Sequence, residues 1–203
     1  IQDLNDTEVL AMPGVIEVIR DGSFLSVVCE REEQATWAAS KLAGETVWDE
    51  SKELNSKDIF VQLKNNPRQS LPVVEGVAKE SPVQPFRPPE NSSKTLSATY
   101  QRPYHMHGSI GPSAAIALYD AQVLKVWTHS QGIFPLRLAL ADVLALAEDK
   151  IHLVHVPGAG CYGHNGADDV ALDAALAARA VPGRPIMLKW ERADEHAWEP
   201  FGS

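Results

Sequence analysis

The most informative stretch of this sequence covers residues 154–173 and reads VHVPGAGCYGHNGADDVALD. Its apolar start predicts a β-strand, and its end predicts a helix over residues 167–180. Gly158, Gly160 and Gly163 lie between them, where small residues let a ligand approach the main chain and a helix N-terminus favours an anion. A plain turn that needs positive φ angles is the alternative. The glycine spacing is neither that of a phosphate loop nor that of a dinucleotide-binding fingerprint.

Apolar patterns on either side of this stretch predict further strands and helices. Alternation of apolar and polar residues predicts strands at residues 114–119, 123–127, 151–156 and 185–190. Leucine and other apolar residues at helical spacing predict a helix over residues 136–147. Strands and helices therefore follow one another in mixed order, without a fixed repeat.

Gln131 is a second candidate for binding. It follows the predicted strand 123–127 in the polar run Thr128-His129-Ser130-Gln131-Gly132. Binding groups commonly lie on loops held by a rigid frame, and a glutamine amide donates a hydrogen bond to an oxo or carbonyl oxygen without titrating. A loop glutamine without a function is the alternative.

The first 50 residues predict a β-hairpin followed by an amphipathic helix. Asp21-Gly22 predicts the hairpin turn, and residues 24–29 predict the returning strand. Apolar residues then recur at helical spacing as far as Gly44, which is expected to end the helix. Trp37 and Trp48 are expected to supply large apolar surfaces to this unit.

Composition divides the chain into three parts. Residues 1–50 form one predicted domain, residues 51–95 form a proline-rich linker, and residues 96–203 form a second domain. The pattern at residues 58–63 is compatible with a short helix or a strand. The expected fold class is α+β.

Charge and composition disfavour several functions. The 203 residues include 18 Lys and Arg against 27 Asp and Glu, which gives a formal net charge of −9. Such a balance disfavours binding to nucleic acid or to an anionic membrane. No apolar run is long enough for a transmembrane helix, and two cysteines cannot build a disulfide framework. The charge fits the bacterial cytoplasm and the periplasm equally.

Histidine and cysteine residues raise two catalytic alternatives. All seven histidines lie beyond residue 100, but no carboxylate or cysteine stands at a recognised zinc-ligand spacing from them. Cys161 and His164 are a conceivable nucleophile and base, although a small buried thiol is the simpler state for this cysteine. A Ser-His-Asp hydrolase has no nucleophile-elbow motif here.

Taken in order, these segments resemble the large, molybdenum-binding subunit of the xanthine dehydrogenase/aldehyde oxidase family. The hairpin and alanine-rich helix are similar to that family's α/β hammerhead domain. Residues 158–163, GAGCYG, fall where the family has a Gly-Gly-Gly-Phe-Gly-Gly loop. The other matching positions are Tyr100, Pro103, His107, Val126, Trp127, Thr128, Gln131, Arg137, Leu140, Arg184, Pro185, Trp190, Arg192 and Asp194.

The loop departs from the family pattern at several positions. Cys161 stands at the usual Phe and Tyr162 at the following Gly, while His164 and Asn165 stand at a common Lys-Glu pair. This variant loop is similar to that of the nicotinate dehydrogenase and isoquinoline oxidoreductase branch. It leaves the size of the substrate open.

The resemblance implies a molybdopterin cofactor, in bacteria often in its cytosine dinucleotide form. It implies hydroxylation of an N-heteroaromatic or aldehyde substrate with water, and electron transfer to a partner subunit that carries 2Fe–2S iron–sulfur clusters, with a cytochrome as a further carrier. Donors fixed before charge develops would stabilise such a reaction. The cofactor-binding positions that it implies are Gln131, Gly158, Gly160, Cys161, Tyr162 and Gly163. The bend between Val156 and Ala167 and the side chain of Gln131 are therefore expected to face one common hollow.

The resemblance also implies that the catalytic machinery extends beyond this chain. The family's general base is a glutamate near the far end of a much longer subunit, so it would lie beyond Ser203. The chain is therefore expected to be a fragment, with the remainder of the large subunit as a partner, and to be inactive alone. The alternative from another class is a non-catalytic binding or assembly module on the same scaffold, which the altered glycine loop favours.

Overall fold

The computed structural model describes residues 1–49, 58–67, 69, 71–81, 83–85, 87–158, 160–163 and 169–198. The chain divides into two compact units. The larger one combines Ile1–Asp49 with Tyr104–Ser203, and the smaller one is Glu50–Pro103.

The N-terminal part of the larger unit is a hairpin with a helix packed against it. Its elements are β1 (Asp3–Leu4), α1 (Thr7–Leu10), β2 (Val15–Asp21), β3 (Phe24–Cys29), α2 (Glu32–Gly44) and β4 (Thr46–Val47). Strands β2 and β3 pair antiparallel, as do β1 and β4. Ala38 and Leu42 of α2 are buried at 0% and 3% exposure. The predicted hairpin and helix, including the helix end at Gly44, are confirmed.

Two details of this region differ from the expectation. The two-residue turn is Gly22-Ser23, because Asp21 still pairs with Phe24, and Gly22 has a φ of 61° that only glycine adopts without strain. Trp37 is 65% exposed, since it lies on the side of α2 opposite the buried residues. The prediction that Trp37 packs into the unit is wrong.

The rest of the larger unit is a four-stranded sheet with helices. Its elements are β7 (Ala114–Asp120), β8 (Val123–Thr128), α4 (Ile133–Leu144), a 3-10 helix (Glu148–Lys150), β9 (Ile151–His155), α5 (Asp169–Ala180), β10 (Ile186–Lys189) and α6 (Arg192–Trp198). The strand order is β10-β7-β8-β9. Strand β9 runs parallel to β8, and the other neighbours are antiparallel.

All four predicted strands of this sheet and both predicted helices are present. Helix α4 covers Ile133–Leu144, so it begins and ends three residues before the predicted range. It ends there because Ala145 adopts a left-handed φ of 50°. For the second helix, positions 167 and 168 of the predicted start lie outside the described residues.

Helix α5 covers one face of the sheet with small side chains. Its fully buried alanines are Ala171, Ala174, Ala175 and Ala178. They face buried strand residues such as Ala117 of β7 and Val126 of β8, in one continuous core. Because alanine side chains are small, the backbone of this helix lies close to the strands.

Two ion pairs and part of the core join the N-terminal hairpin to this sheet. Arg184 donates to Glu30 at 2.9 Å, and Lys189 of β10 pairs with Glu32 of α2. Ile19 and Val28 belong to the same apolar core as the sheet. The hairpin and the sheet are therefore parts of one compact unit.

In its described residues the smaller unit contains three short elements, α3 (Ile59–Asn65), β5 (Val73–Val74) and β6 (Val77–Ala78). Strands β5 and β6 form a hairpin through Glu75 and Gly76, both with positive φ. The sequence was compatible with a helix or a strand at residues 58–63, and the structure has a helix there, α3. No helix in the described parts of the chain is both long and apolar enough to span a membrane.

Candidate functional site

The candidate site lies where the parallel strands β8 and β9 end. Thr128 of β8 is paired with His155 of β9, and the N–H of Val156 donates to the carbonyl oxygen of Thr128 at 2.9 Å. Parallel neighbours place their carboxyl ends at the same edge of a sheet, which is where ligands bind in many α/β folds. The loop after β8, which contains Gln131, therefore meets the glycine-rich loop after β9.

A tight hydrogen-bonded turn presents Gln131 at this edge. Ser130 is 1% exposed; its N–H donates to Thr128 Oγ1 at 3.3 Å, and its Oγ accepts the N–H of Gly132 at 3.1 Å. The Ser130 carbonyl oxygen lies 2.9 Å from His155 Nδ1. A carbonyl only accepts, so this contact requires a proton on Nδ1 of His155. These bonds hold the turn, while the Gln131 side chain is exposed.

Gln131 and Cys161 contact each other across the two loops. The Cys161 thiol donates to Gln131 Oε1 at 3.4 Å, and Sγ accepts the N–H of Gly163 at 3.4 Å. This contact uses the amide oxygen of Gln131 and does not involve the two N–H donors of its Nε2 group. The structure thus brings together the two loops that the sequence analysis assigned to one hollow.

The three predicted glycines are all in close contact with a side chain. A Cβ on Gly158 would lie 2.8 Å from the Cβ of His129, and a Cβ on Gly160 would lie 3.0 Å from the ring of Tyr162. Gly160 and Gly163 both have a φ of 111°, which a residue with a side chain adopts only with strain. A side chain at Gly158 would therefore collide with His129, and a side chain at Gly160 or Gly163 would strain the backbone.

Tyr162 forms the outer edge of the glycine-rich loop. Its φ is 50°, and its side chain is 61% exposed. Ala159, His164 and Asn165 lie outside the described residues. The Cys161-His164 pair considered from the sequence therefore lies partly outside them as well.

A mainly apolar cavity of about 510 Å³ borders the glycine-rich loop. Gly158 and Gly160 contribute to its wall, together with Trp127, His129 and Pro112. The cavity is large enough for a small organic molecule or for a part of a larger one.

Sequence reasoning missed a buried carboxylate next to this cavity. Glu195 of α6 is 1% exposed and accepts hydrogen bonds from Ser113 N at 2.6 Å, Ser113 Oγ at 2.9 Å and Arg192 Nη1 at 2.7 Å. Ser109 Oγ adds a longer contact of 3.5 Å. The sequence drew attention to Arg192 and Asp194, but Asp194 is exposed and accepts a backbone N–H at 2.8 Å at the start of α6. Glu195 lies among other polar residues in a short helix, so nothing in the local sequence indicates that it is buried.

The histidines do not form a metal site in the described part of the chain. No group of three His, Cys, Asp or Glu side chains there is arranged to hold a metal ion. His152 and His155 are both exposed strand residues of β9, three positions apart, and therefore point to opposite sides of the sheet.

Comparisons with known proteins identify the family of this chain. The family model described as molybdopterin cofactor-binding domain matches residues 87–200. The chain is 37% identical over 200 residues to one of the subunits of nicotinate dehydrogenase from Pseudomonas putida, which is 98% of this chain and 16% of that protein. It is 35% identical over 98 residues to the aldehyde oxidoreductase molybdenum-binding subunit PaoC of Escherichia coli, covering 48% of this chain and 13% of that protein.

Two solved structures share the fold. Aldehyde oxidoreductase from Desulfovibrio gigas matches with a TM-score of 0.65 at 17% identity, over 98% of this chain and 26% of that chain. Quinoline 2-oxidoreductase from Pseudomonas putida 86 matches with a TM-score of 0.63 at 16% identity, over 96% of this chain and 29% of that chain. The chain spans less than a third of the length of each of these four proteins.

The four-stranded sheet and its helical cover form a mixed α/β scaffold, and residues 87–200 of it match a cofactor-binding domain. The chain belongs to the molybdopterin cofactor-binding domain family. The resemblance to the xanthine dehydrogenase/aldehyde oxidase family is confirmed, and the curated relatives are molybdenum-dependent oxidoreductases.

Proposed function

We propose that this chain forms part of the large subunit of a molybdenum hydroxylase and binds one side of its molybdopterin cofactor. In this proposal residues 1–50 are a hammerhead-like domain, residues 51–95 a linker, and residues 96–203 the first part of the cofactor-binding domain. The observation that carries it is the contact between Gln131 and Cys161, which joins an amide donor to the glycine-rich loop at 3.4 Å.

The loop residues fit such a cofactor. A molybdopterin group offers oxo, pterin and phosphate oxygens, all of which accept hydrogen bonds. The Nε2 donors of Gln131 are available to them, and glycines in the 158–163 loop leave the main chain open where a Cβ would collide. Donors of this kind are fixed before a ligand arrives, so little reorganisation accompanies binding.

Each loop residue has a separate role in this proposal. When bound, the cofactor supplies the oxygen-transfer and electron-transfer chemistry. Gln131 donates to it, and Cys161 orients the Gln131 amide by donating to Oε1. Gly160 and Gly163 allow the close approach of the main chain, and the exposed ring of Tyr162 covers the outer side.

The substrate class and partners are inferred from the relatives. The match to the nicotinate dehydrogenase protein extends over 98% of this chain, whereas the match to the aldehyde oxidoreductase protein covers 48%. We therefore propose an N-heteroaromatic substrate similar to nicotinate, with an aldehyde as the second class. The cytosine dinucleotide form of the cofactor and an iron–sulfur partner subunit, with a cytochrome as a further electron carrier, belong to the same proposal.

The test uses the gene product that carries this chain, made in a host with an intact molybdopterin pathway and purified with the subunits that accompany it. We expect molybdenum and an oxidised pterin in the protein, release of cytidine nucleotide on acid hydrolysis, and faster turnover of nicotinate than of benzaldehyde with an artificial electron acceptor. Absence of both molybdenum and pterin would refute the cofactor proposal. Cofactor without turnover of either substrate would favour the non-catalytic module.

A pair of variants tests the role of Gln131. Gln131→Leu removes the donor while it keeps a similar volume, and Gln2→Leu changes an exposed glutamine that precedes β1 in the same unit. Loss of a hydrogen bond to a charged or strongly polar acceptor is expected to lower molybdenum content about tenfold at limiting cofactor. Equal molybdenum content in the two variants would contradict the assigned role.

A further inference from the structure

We propose that His129 is a positioning residue. It holds the glycine-rich loop, residues 158–163, where Cys161 contacts Gln131. The inference rests on the proposed function, because the loop is the part of the chain assigned to the cofactor.

One side of the His129 ring is attached to the sheet. The side chain is 8% exposed, and its Nε2 accepts the N–H of Ala114, the first residue of β7, at 3.3 Å. A backbone N–H only donates, so Nε2 carries no proton and the neutral ring has its proton on Nδ1. This bond fixes the ring relative to β7.

The other side of the ring is in contact with the loop. A Cβ on Gly158 would lie 2.8 Å from His129 Cβ and 2.9 Å from Cγ. These two atoms are near the backbone, so the histidine side chain cannot move aside by a simple rotation. The ring and the main chain of Gly158 therefore set the distance between the end of β8 and the loop after β9.

The buried carboxylate of Glu195 holds the strand start that bonds to His129. Glu195 accepts the N–H of Ser113 at 2.6 Å, and Ser113 immediately precedes Ala114. A continuous series of contacts thus leads from Glu195 through Ser113 and Ala114 to His129, and from there to Gly158. The loop position is determined by residues that are buried, not by the exposed loop alone.

Three substitutions at His129 separate the effect of its hydrogen bond to Ala114 from the effect of its ring volume. His129→Gln places an amide oxygen near the position of Nε2 and keeps the acceptor. His129→Phe keeps the ring against Gly158 and leaves the Ala114 N–H without this acceptor. His129→Ala removes both the ring and the acceptor.

The readout is the alkylation rate of Cys161 by iodoacetamide in the intact protein, measured by peptide mass spectrometry. Cys29 lies in β3, away from the loop, and is the internal reference. We expect His129→Ala to raise the Cys161 rate about fivefold, as the loss of one positioning hydrogen bond does. The Cys29 rate should stay unchanged, His129→Gln should behave like the wild type, and His129→Phe should lie between them.

A double-mutant cycle gives an independent test. Gly158→Ala should raise the Cys161 rate in the wild-type background, where its Cβ meets Cβ and Cγ of His129, and should have little further effect in a His129→Gly background, which lacks both atoms. An unchanged Cys161 rate in His129→Ala, or an equal effect of Gly158→Ala in both backgrounds, would overturn the inference. Molybdenum content is measured in parallel, and it should fall in His129→Ala and recover in His129→Gln.

Discussion

Replacing Glu195 should destabilise the protein far more than replacing its neighbour Asp194. Glu195 is 1% exposed, and its oxygens accept from Ser113 N at 2.6 Å and Ser113 Oγ at 2.9 Å. Its third short contact, 2.7 Å, is with Arg192 Nη1. Asp194 has the same charge and lies on the same helix, but it is exposed and accepts one backbone N–H.

The expected loss in free energy of unfolding depends on which buried groups lose their hydrogen-bond partner. Glu195→Ala leaves the N–H and hydroxyl of Ser113 without their acceptor, and each buried unpaired donor costs about 1–3 kcal/mol. The Arg192 side chain is 41% exposed, so its charge returns to water at little cost. We expect about 3–4 kcal/mol for Glu195→Ala, about 1–2 kcal/mol for Glu195→Gln, which keeps one acceptor, and about 1 kcal/mol for Asp194→Ala.

Urea denaturation followed by tryptophan fluorescence measures these differences. Trp190 is a suitable reporter, because it is 9% exposed and its backbone N–H donates to the Ser113 carbonyl oxygen at 2.9 Å. The reasoning is wrong if Glu195→Ala costs no more than Asp194→Ala. It is also wrong if Glu195→Gln is as damaging as Glu195→Ala.

Three further predictions concern other parts of the chain. Gly160→Ala combines a φ of 111° with a contact 3.0 Å from the Tyr162 ring; it should cost about 1–2 kcal/mol and lower molybdenum content, and normal content would contradict the loop geometry. Burial raises the pKa of the Cys29 thiol, so the pH profile of its alkylation should have its inflection at higher pH in the native than in the urea-unfolded protein. A hydrogen bond from Lys41 at 2.6 Å lowers the pKa of Glu8. Glu8 therefore stabilises the folded state above its unfolded-state pKa and loses that effect as pH falls through its folded-state pKa, and Lys41→Met should reduce the fall in Tm between about pH 5 and about pH 3.

The sequence predicted the elements of the sheet because their signals are local. Alternation in residues 114–127 and helical spacing up to Gly44 depend on neighbours within a few positions, and they were confirmed with small shifts at the ends. The glycine-rich loop was recognisable for the same reason, since glycines between a strand and a helix indicate a close approach or a turn.

What the sequence did not predict depends on contacts between distant residues. The Gln131 to Cys161 contact follows from the parallel pairing of β8 and β9, and the burial of Glu195 follows from Ser113, 82 positions away. The exposure of Trp37 has the same origin, because the apolar face of α2 is defined by what packs on it. The one-residue shift of the hairpin turn to Gly22-Ser23 reflects the register of β2 against β3, which the pair Asp21-Gly22 alone does not determine.

The parallel arrangement of β8 and β9 has a consequence for how this region tolerates change in length. The crossover through α4 and the 3-10 helix separates Thr128 from Ile151 in the chain, yet the ladder between the two strands fixes their spacing independently of it. Insertions or deletions near residues 145–150 would be absorbed at the surface. A single extra residue between Thr128 and Gln131 would instead rotate the amide away from the opposite loop. Related sequences should therefore differ in length near residues 145–150, before β9, and keep a constant length between residues 128 and 131, after β8.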